Sequence, residues 1–149
     1  MKTKNKLEKG IKFEEKIYDW LLQEKKISCK KNPLNKQPLG ENAQGIEIKN
    51  DQRFHDTGNL FISTNKIYGH KTIGWGIYKD DNSWLYIIGD ENTFWIFTCK
   101  QLQNFQKENK VFTKVVKHEK GSEVGFLLPV SKANKIAPSY SINQLILHL

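Results

Sequence analysis

Apolar residues recur at helical spacing in "KFEEKIYDWLLQEKK", where Phe13, Ile17, Trp20 and Leu21 fall on one face and Glu14, Glu15 and Lys16 lie mostly outside it. The pattern predicts an amphipathic helix packed on a sheet. "KKNPLNKQPLGENAQ" then breaks any regular period with prolines, a glycine and several Asn and Gln, as a loop or irregular hairpin does. It leads into "GIEIKND", where the period becomes two. Successive strand side chains point to opposite faces, so Ile46 and Ile48 share one face while Glu47, Lys49 and Asp51 share the other.

A turn at Thr57-Gly58-Asn59 precedes a second strand, "NLFIST". Two aromatic, β-branched strands, "SWLYIIG" and "TFWIFTC", are joined by Asp90-Glu91-Asn92 as a hairpin. "KQLQNFQKEN" reads as a short helix, "EVGFLLPV" as a late strand, and "SINQLILHL" as a C-terminal helix that Ser141 can cap. Helix, strands, helix, strand and helix make a mixed α/β (α+β) fold, expected to be a single domain over residues 1–149 with no repeat or dividing linker.

Size and composition narrow the class further. A chain of 149 residues buries roughly 70% of its unfolded surface in one core without staples. Cys29 and Cys99 stand far apart, outside any CxxC or Cys/His ligand spacing, so neither a zinc ribbon nor a disulfide framework is implied. The longest apolar runs, "GFLLPV" and "QLILHL", are short of a membrane span, and the lysine-rich start lacks an apolar signal core. A soluble, cytoplasmic protein with no membrane partner is the expectation.

Charge adds a candidate partner. Lys plus Arg number 24 against 16 Asp plus Glu, a net charge of +8, with lysine concentrated before residue 40. Such a chain attracts polyanions by releasing condensed counterions, which makes nucleic acid the first partner to test. Lys30, Lys31 and Lys36 are the candidate phosphate contacts in that segment. Arg53, the one arginine of the chain, follows the acidic strand, where its planar guanidinium suits two phosphate oxygens at once. His55, in the same loop, is a further candidate for phosphate contact or proton transfer, although an ordinary surface histidine fits as well.

The helix, the loop and the strand with E-x-K on its polar face resemble the core of the PD-(D/E)XK nuclease superfamily, whose fold is restriction-endonuclease-like. More narrowly, "GIEIKNDQRFHDTGNLFIS", "SWLYIIGDENTFWIF" and "GFLLPVSKANKIA" are similar to small phage-associated endonucleases of that superfamily, over about residues 10 to 137. The resemblance implies a mixed sheet flanked by helices and a Mg²⁺- or Mn²⁺-dependent DNA endonuclease. In that reading Glu47 and Lys49 are catalytic, and Glu41, Glu47 and Asp51 are the candidate metal ligands.

Hydrolysing a phosphodiester requires a metal that polarises the phosphoryl oxygen and acidifies a water, and hard oxygen ligands hold it. Alternation sets Glu47 and Lys49 roughly 7 Å apart along the strand, within reach of one phosphate and its water. No aspartate lies between Asp19 and Asp51, so Glu41 is the nearest substitute for the carboxylate that precedes E-x-K in the superfamily. Ser63 stands where similar sequences carry a Glu. An alternative register makes Glu47 the first carboxylate, the Ser63 strand the second, and Lys49 a displaced lysine; the sequence leaves both registers open.

Each feature also has an ordinary explanation. The Glu47–Lys49 face can be a solvated strand face, and Glu14 and Glu15 a solvated helix face. Trp75, Trp84, Trp95 and Tyr86 can stack on bases, but on such strands they read better as core. The alternatives to an endonuclease are a catalytically inactive nucleic-acid-binding protein on the same fold and a protein-interaction or inhibitor module. Many members of the superfamily cut both strands as dimers, which makes a homodimer one expectation, with no self-complementary patch recognisable in the sequence.

Overall fold

The computed structural model describes residues 2–25 and 45–142. The first helix, α1 (Lys2–Lys25), extends ten residues beyond the predicted start. Its periodic residues Phe13, Ile17, Trp20 and Leu21 are all buried. The expected loop before "GIEIKND" and most of the expected C-terminal helix lie outside the described residues.

After β1 (Ile46–Asn50) and a one-turn helix α2 (Phe54–Thr57), the chain forms β2 (Asn59–Tyr68) and β3 (Lys71–Gly74). A 3₁₀ turn (Gly76–Tyr78) leads to β4 (Leu85–Gly89) and β5 (Phe94–Thr98). Then come α3 (Cys99–Glu108), β6 (Phe112–His118), β7 (Gly121–Pro129), α4 (Val130–Ile136) and β8 (Ser139–Tyr140). The described residues thus make a mixed α/β fold of four helices and two four-stranded sheets, ordered β1-β4-β5-β8 and β3-β2-β7-β6.

Local chemistry accounts for the junctions. Gly58 closes α2 at φ 74°, in the left-handed region that costs glycine nothing. In the β4–β5 hairpin Asp90 Oδ1 accepts from the amides of Asn92 and Thr93 at 3.0 and 2.9 Å. Thr98 starts α3 with a capping box, its hydroxyl accepting from Gln101 N while the Gln101 side chain accepts from Thr98 N. Each such cap satisfies amides that a helix start leaves unpaired.

The first sheet is covered on both faces. α1 packs on Ile46, Ile48, Ile87 and Phe94, with Trp20 edge-on to Phe94 at 5.0 Å. The opposite face, carrying Tyr86, Ile88, Trp95 and Phe97, packs with Leu60, Ile62, Phe126 and Leu128 of the second sheet. β1 pairs in parallel with β4, setting Glu47 opposite Tyr86 and Lys49 opposite Ile88. Alternation therefore turns Glu47 and Lys49 away from α1, toward the second sheet. A solvated strand face is not what forms there: Glu47 is 1% exposed.

Candidate functional site

Beyond the end of β1 the amide of Asp51 donates to Gly89 O at 2.9 Å, carrying the parallel pairing one residue further. A cleft of about 730 Å³ opens at this C-terminal end of the strand pair, the edge at which α/β sheets commonly place their sites. α1 contributes Lys9 and Glu14, the end of β1 contributes Lys49, Asn50 and Asp51, and Arg53 follows. Phe61 and Ser63 of β2, Lys114 of β6 and Glu123 of β7 form the opposite wall, with Tyr86 of β4.

Behind the cleft lies a buried ionic cluster. Glu47 Oε1 is 3.3 Å from Lys49 Nζ, and its Oε2 is 3.8 Å from Lys79 Nζ. The second separation gives Coulombic attraction but is too long for a hydrogen bond, and Oε2 has no hydrogen-bond partner. Lys79 Nζ also lies 3.5 Å from Asp81 Oδ2 and 4.6 Å from the centre of the Trp75 ring. Asp81 Oδ1 accepts from Ser83 N at 2.7 Å. The lysines differ in access: the Lys49 side chain is 31% exposed and that of Lys79 13%.

This field reaches neighbouring protons. Burial pushes the Tyr86 phenol well above its ordinary pKa, and the Glu47 carboxylate pushes it the same way. The Cys99 thiol is pushed up to about 11, first by burial and then by Glu47 and Asp81. Both groups therefore stay protonated at neutral pH, the thiol too weak an acid to act as a nucleophile. The Ser63 hydroxyl is enclosed with no hydrogen-bond partner, and the enclosed Tyr86 hydroxyl lies by the Ser63 backbone.

The residues singled out from the sequence separate into groups. Glu47 and Lys49 come together as a pair. Asp51, two positions further on, serves the backbone: Oδ1 accepts from Arg53 N and Oδ2 from Phe61 N, each at 3.0 Å. Arg53 reaches the cleft. His55 turns to the hairpin, its Nε2 2.5 Å from Asp90 Oδ2 and its ring against Phe54. Glu14 is half-buried at the cleft and Glu15 exposed. Trp95 and Tyr86 are core, whereas Trp84 is 55% exposed. Glu41, Lys30, Lys31 and Lys36 lie outside the described residues.

Sequence reasoning missed Lys9, Lys79, Asp81, Lys114 and Glu123. "YKDD" reads as a charged loop, and nothing local announces that Lys79 and Asp81 fold in behind β1. Lys114 and Glu123 reach the cleft through the β6–β7 pairing, in which Lys114 stands opposite Gly125 and Val116 opposite Glu123.

No family model matches the chain, and no curated protein or solved structure matches it either. A divalent cation needs several oxygen ligands free to turn toward it. Glu47 has an ammonium beside each carboxylate oxygen, both oxygens of Asp51 hold amides, and among the described residues no three His, Cys, Asp or Glu side chains group to hold a metal. The described donors thus do not fit a divalent metal centre. What they do form is a cleft of mixed apolar and charged lining, with Lys9, Lys49, Arg53 and Lys114 set among Glu14, Asp51 and Glu123.

Proposed function

We propose that this chain binds a nucleic-acid backbone, DNA in the first instance, in the cleft at the C-terminal end of β1. The observation that carries this reading is the meeting of Lys9, Lys49, Arg53 and Lys114, from separate parts of the chain, around one cleft. Three acids also line it, Asp51, held by two amides, Glu123, 3.6 Å from His118 Nε2, and Glu14, in contacts of its own, and the four cations outnumber them. A net charge of +8 adds long-range attraction. The nuclease resemblance of the β1 strand agrees with such a ligand.

The test is anisotropy of short fluorescent single-stranded and duplex DNA titrated with protein at several salt concentrations. Affinity is expected to fall steeply between about 50 and 200 mM salt, and Lys9→Glu, Arg53→Glu and Lys114→Glu should each weaken binding for all sequences alike. Affinity indifferent to salt and to these reversals would sink the reading and leave the protein-interaction or inhibitor module.

The adjacency of Glu47 and Lys49, with the nuclease resemblance, supports a second reading, phosphodiester hydrolysis with Mg²⁺ or Mn²⁺, whose metal ligands the described carboxylates do not supply. Plasmid nicking that depends on the metal and drops at least about 100-fold in Glu47→Ala and Lys49→Ala would establish it. Binding without cleavage leaves the first reading alone.

A further inference from the structure

Glu47 faces two lysines that are not equivalent. Lys49 comes from its own strand and lines the cleft. Lys79 comes from the segment after the 3₁₀ turn, is the less exposed of the two, and is itself fixed by Asp81 at 3.5 Å and by the Trp75 ring at 4.6 Å. Trp75 is anchored in turn, its amide donating to Thr64 O at 2.9 Å. A buried carboxylate stripped of every cation is strongly destabilised, whereas one that keeps a partner loses far less when a second cation leaves. Ligand binding that draws Lys49 toward the cleft is therefore tolerable only because another cation stays behind.

We propose that Lys79 is a positioning residue of the cleft: it is a second counter-ion of Glu47 beside Lys49, so that Lys49 can turn toward a phosphate oxygen while that carboxylate keeps a cation. The inference deepens the nucleic-acid reading and rests on it for the ligand of Lys49. Lys79 need not touch DNA at all; its effect passes through Glu47. Replacing it concentrates the attraction of Glu47 on Lys49 and withdraws Lys49 from the cleft.

Two readouts separate this inference from the reading it rests on. The first needs no nucleic acid: the rate at which an amine-acylating reagent modifies Lys49, followed by peptide mass spectrometry in the folded protein. Lys79→Met should slow it several-fold, and Glu47→Gln/Lys79→Met, which removes the carboxylate charge as well, should restore it. Asp81 loses its cation in both variants, so a disturbance of folding from that loss is common to them, and recovery of the rate in the double variant isolates the charge of Glu47.

The second readout is the salt dependence of DNA binding. Lys49→Met should lower the slope by about 0.7 to 0.9 in the wild type, the value of one lost phosphate contact. The same change should do almost nothing in Lys79→Met and regain its effect in the Glu47→Gln/Lys79→Met background. Equal Lys49 acylation in the wild type and Lys79→Met overturns the inference whatever DNA does. A Lys79-dependent acylation rate in a protein that binds no DNA upholds the counter-ion and defeats the nucleic-acid reading instead.

Discussion

β1 and β6 close the ends of the two described sheets, and each carries a lysine on the side facing the cleft, Lys49 and Lys114. Around β1 the charges are enclosed: Glu47 is 1% exposed and sits between two ammonium groups. Along β6 all but one of the seven positions are open to solvent, including Phe112 at 69% and Val115 at 53%. The difference comes from what covers each strand. α1 lies over one face of β1 and the second sheet over the other, so polar side chains there need internal partners. Among the described residues β6 pairs with β7 alone, and its lysines stay hydrated and guard an open edge. Charge around β1 is therefore a matter of position, and charge on β6 a matter of field.

The difference between the two strands is greatest at Glu47. Glu47→Ala leaves Lys79 without one of its carboxylates, and unfolding in urea should show a loss of about 3–5 kcal/mol. Lys117→Ala on β6 should stay within about 0.5 kcal/mol of the wild type. Similar small changes in both would mean that the β1 cluster is solvated after all.

The apolar positions sharpen the same contrast. Ile48→Ala, under α1, should cost about 2–5 kcal/mol by emptying a packed site, whereas Val115→Ala should be close to neutral in the same denaturant titration. Asp51→Ala should fall between, about 1.5–3 kcal/mol, because the amides of Arg53 and Phe61 lose a charged acceptor. A neutral Asp51→Ala would show that its carboxylate is not needed by the backbone and is free for another role.

The smallest effect is alkaline. Tyr86 and Cys99 both hold their protons more tightly in the fold than ordinary phenols and thiols, Cys99 titrating at about 11 against 9.0. In this range the unfolded chain binds fewer protons than the folded one, so the stabilisation is complete below about pH 9 and is lost as pH rises through 11. Melting temperatures taken from pH 8 upward should fall less steeply in Tyr86→Phe than in the wild type. Parallel curves would mean that the phenol does not feel Glu47 and the core as the geometry implies.

The sequence revealed most where burial writes a period. Phe13, Ile17, Trp20 and Leu21 marked the packed stretch of α1, and the aromatic strands marked β4 and β5. The beginning of α1 lacks that period, so lysines and a glycine gave no sign of helix there. β6 escaped notice because hardly any of its positions is buried, which leaves no alternation to read. α4 buries only Ala133. At the site, alternation correctly put Glu47 and Lys49 on one face. It could not say that the second sheet would cover that face, nor that Asp51, past the strand end, would turn to the backbone. Lys79 was illegible for a related reason: its partner lies 32 positions earlier in the chain, and only the return of the chain from the second sheet to β4 joins them.

Amide chemical-shift mapping of isotope-labelled protein titrated with a short DNA strand tests directly whether nucleic acid binds in the cleft. Shifts are expected at Lys9, Lys49 to Arg53, Ser63 and Lys114, the residues around the cleft, with little change at Lys71, Lys132 and Lys135, which are equally exposed but do not line it. Shifts spread evenly over the lysine surface, or concentrated away from the end of β1, would contradict it.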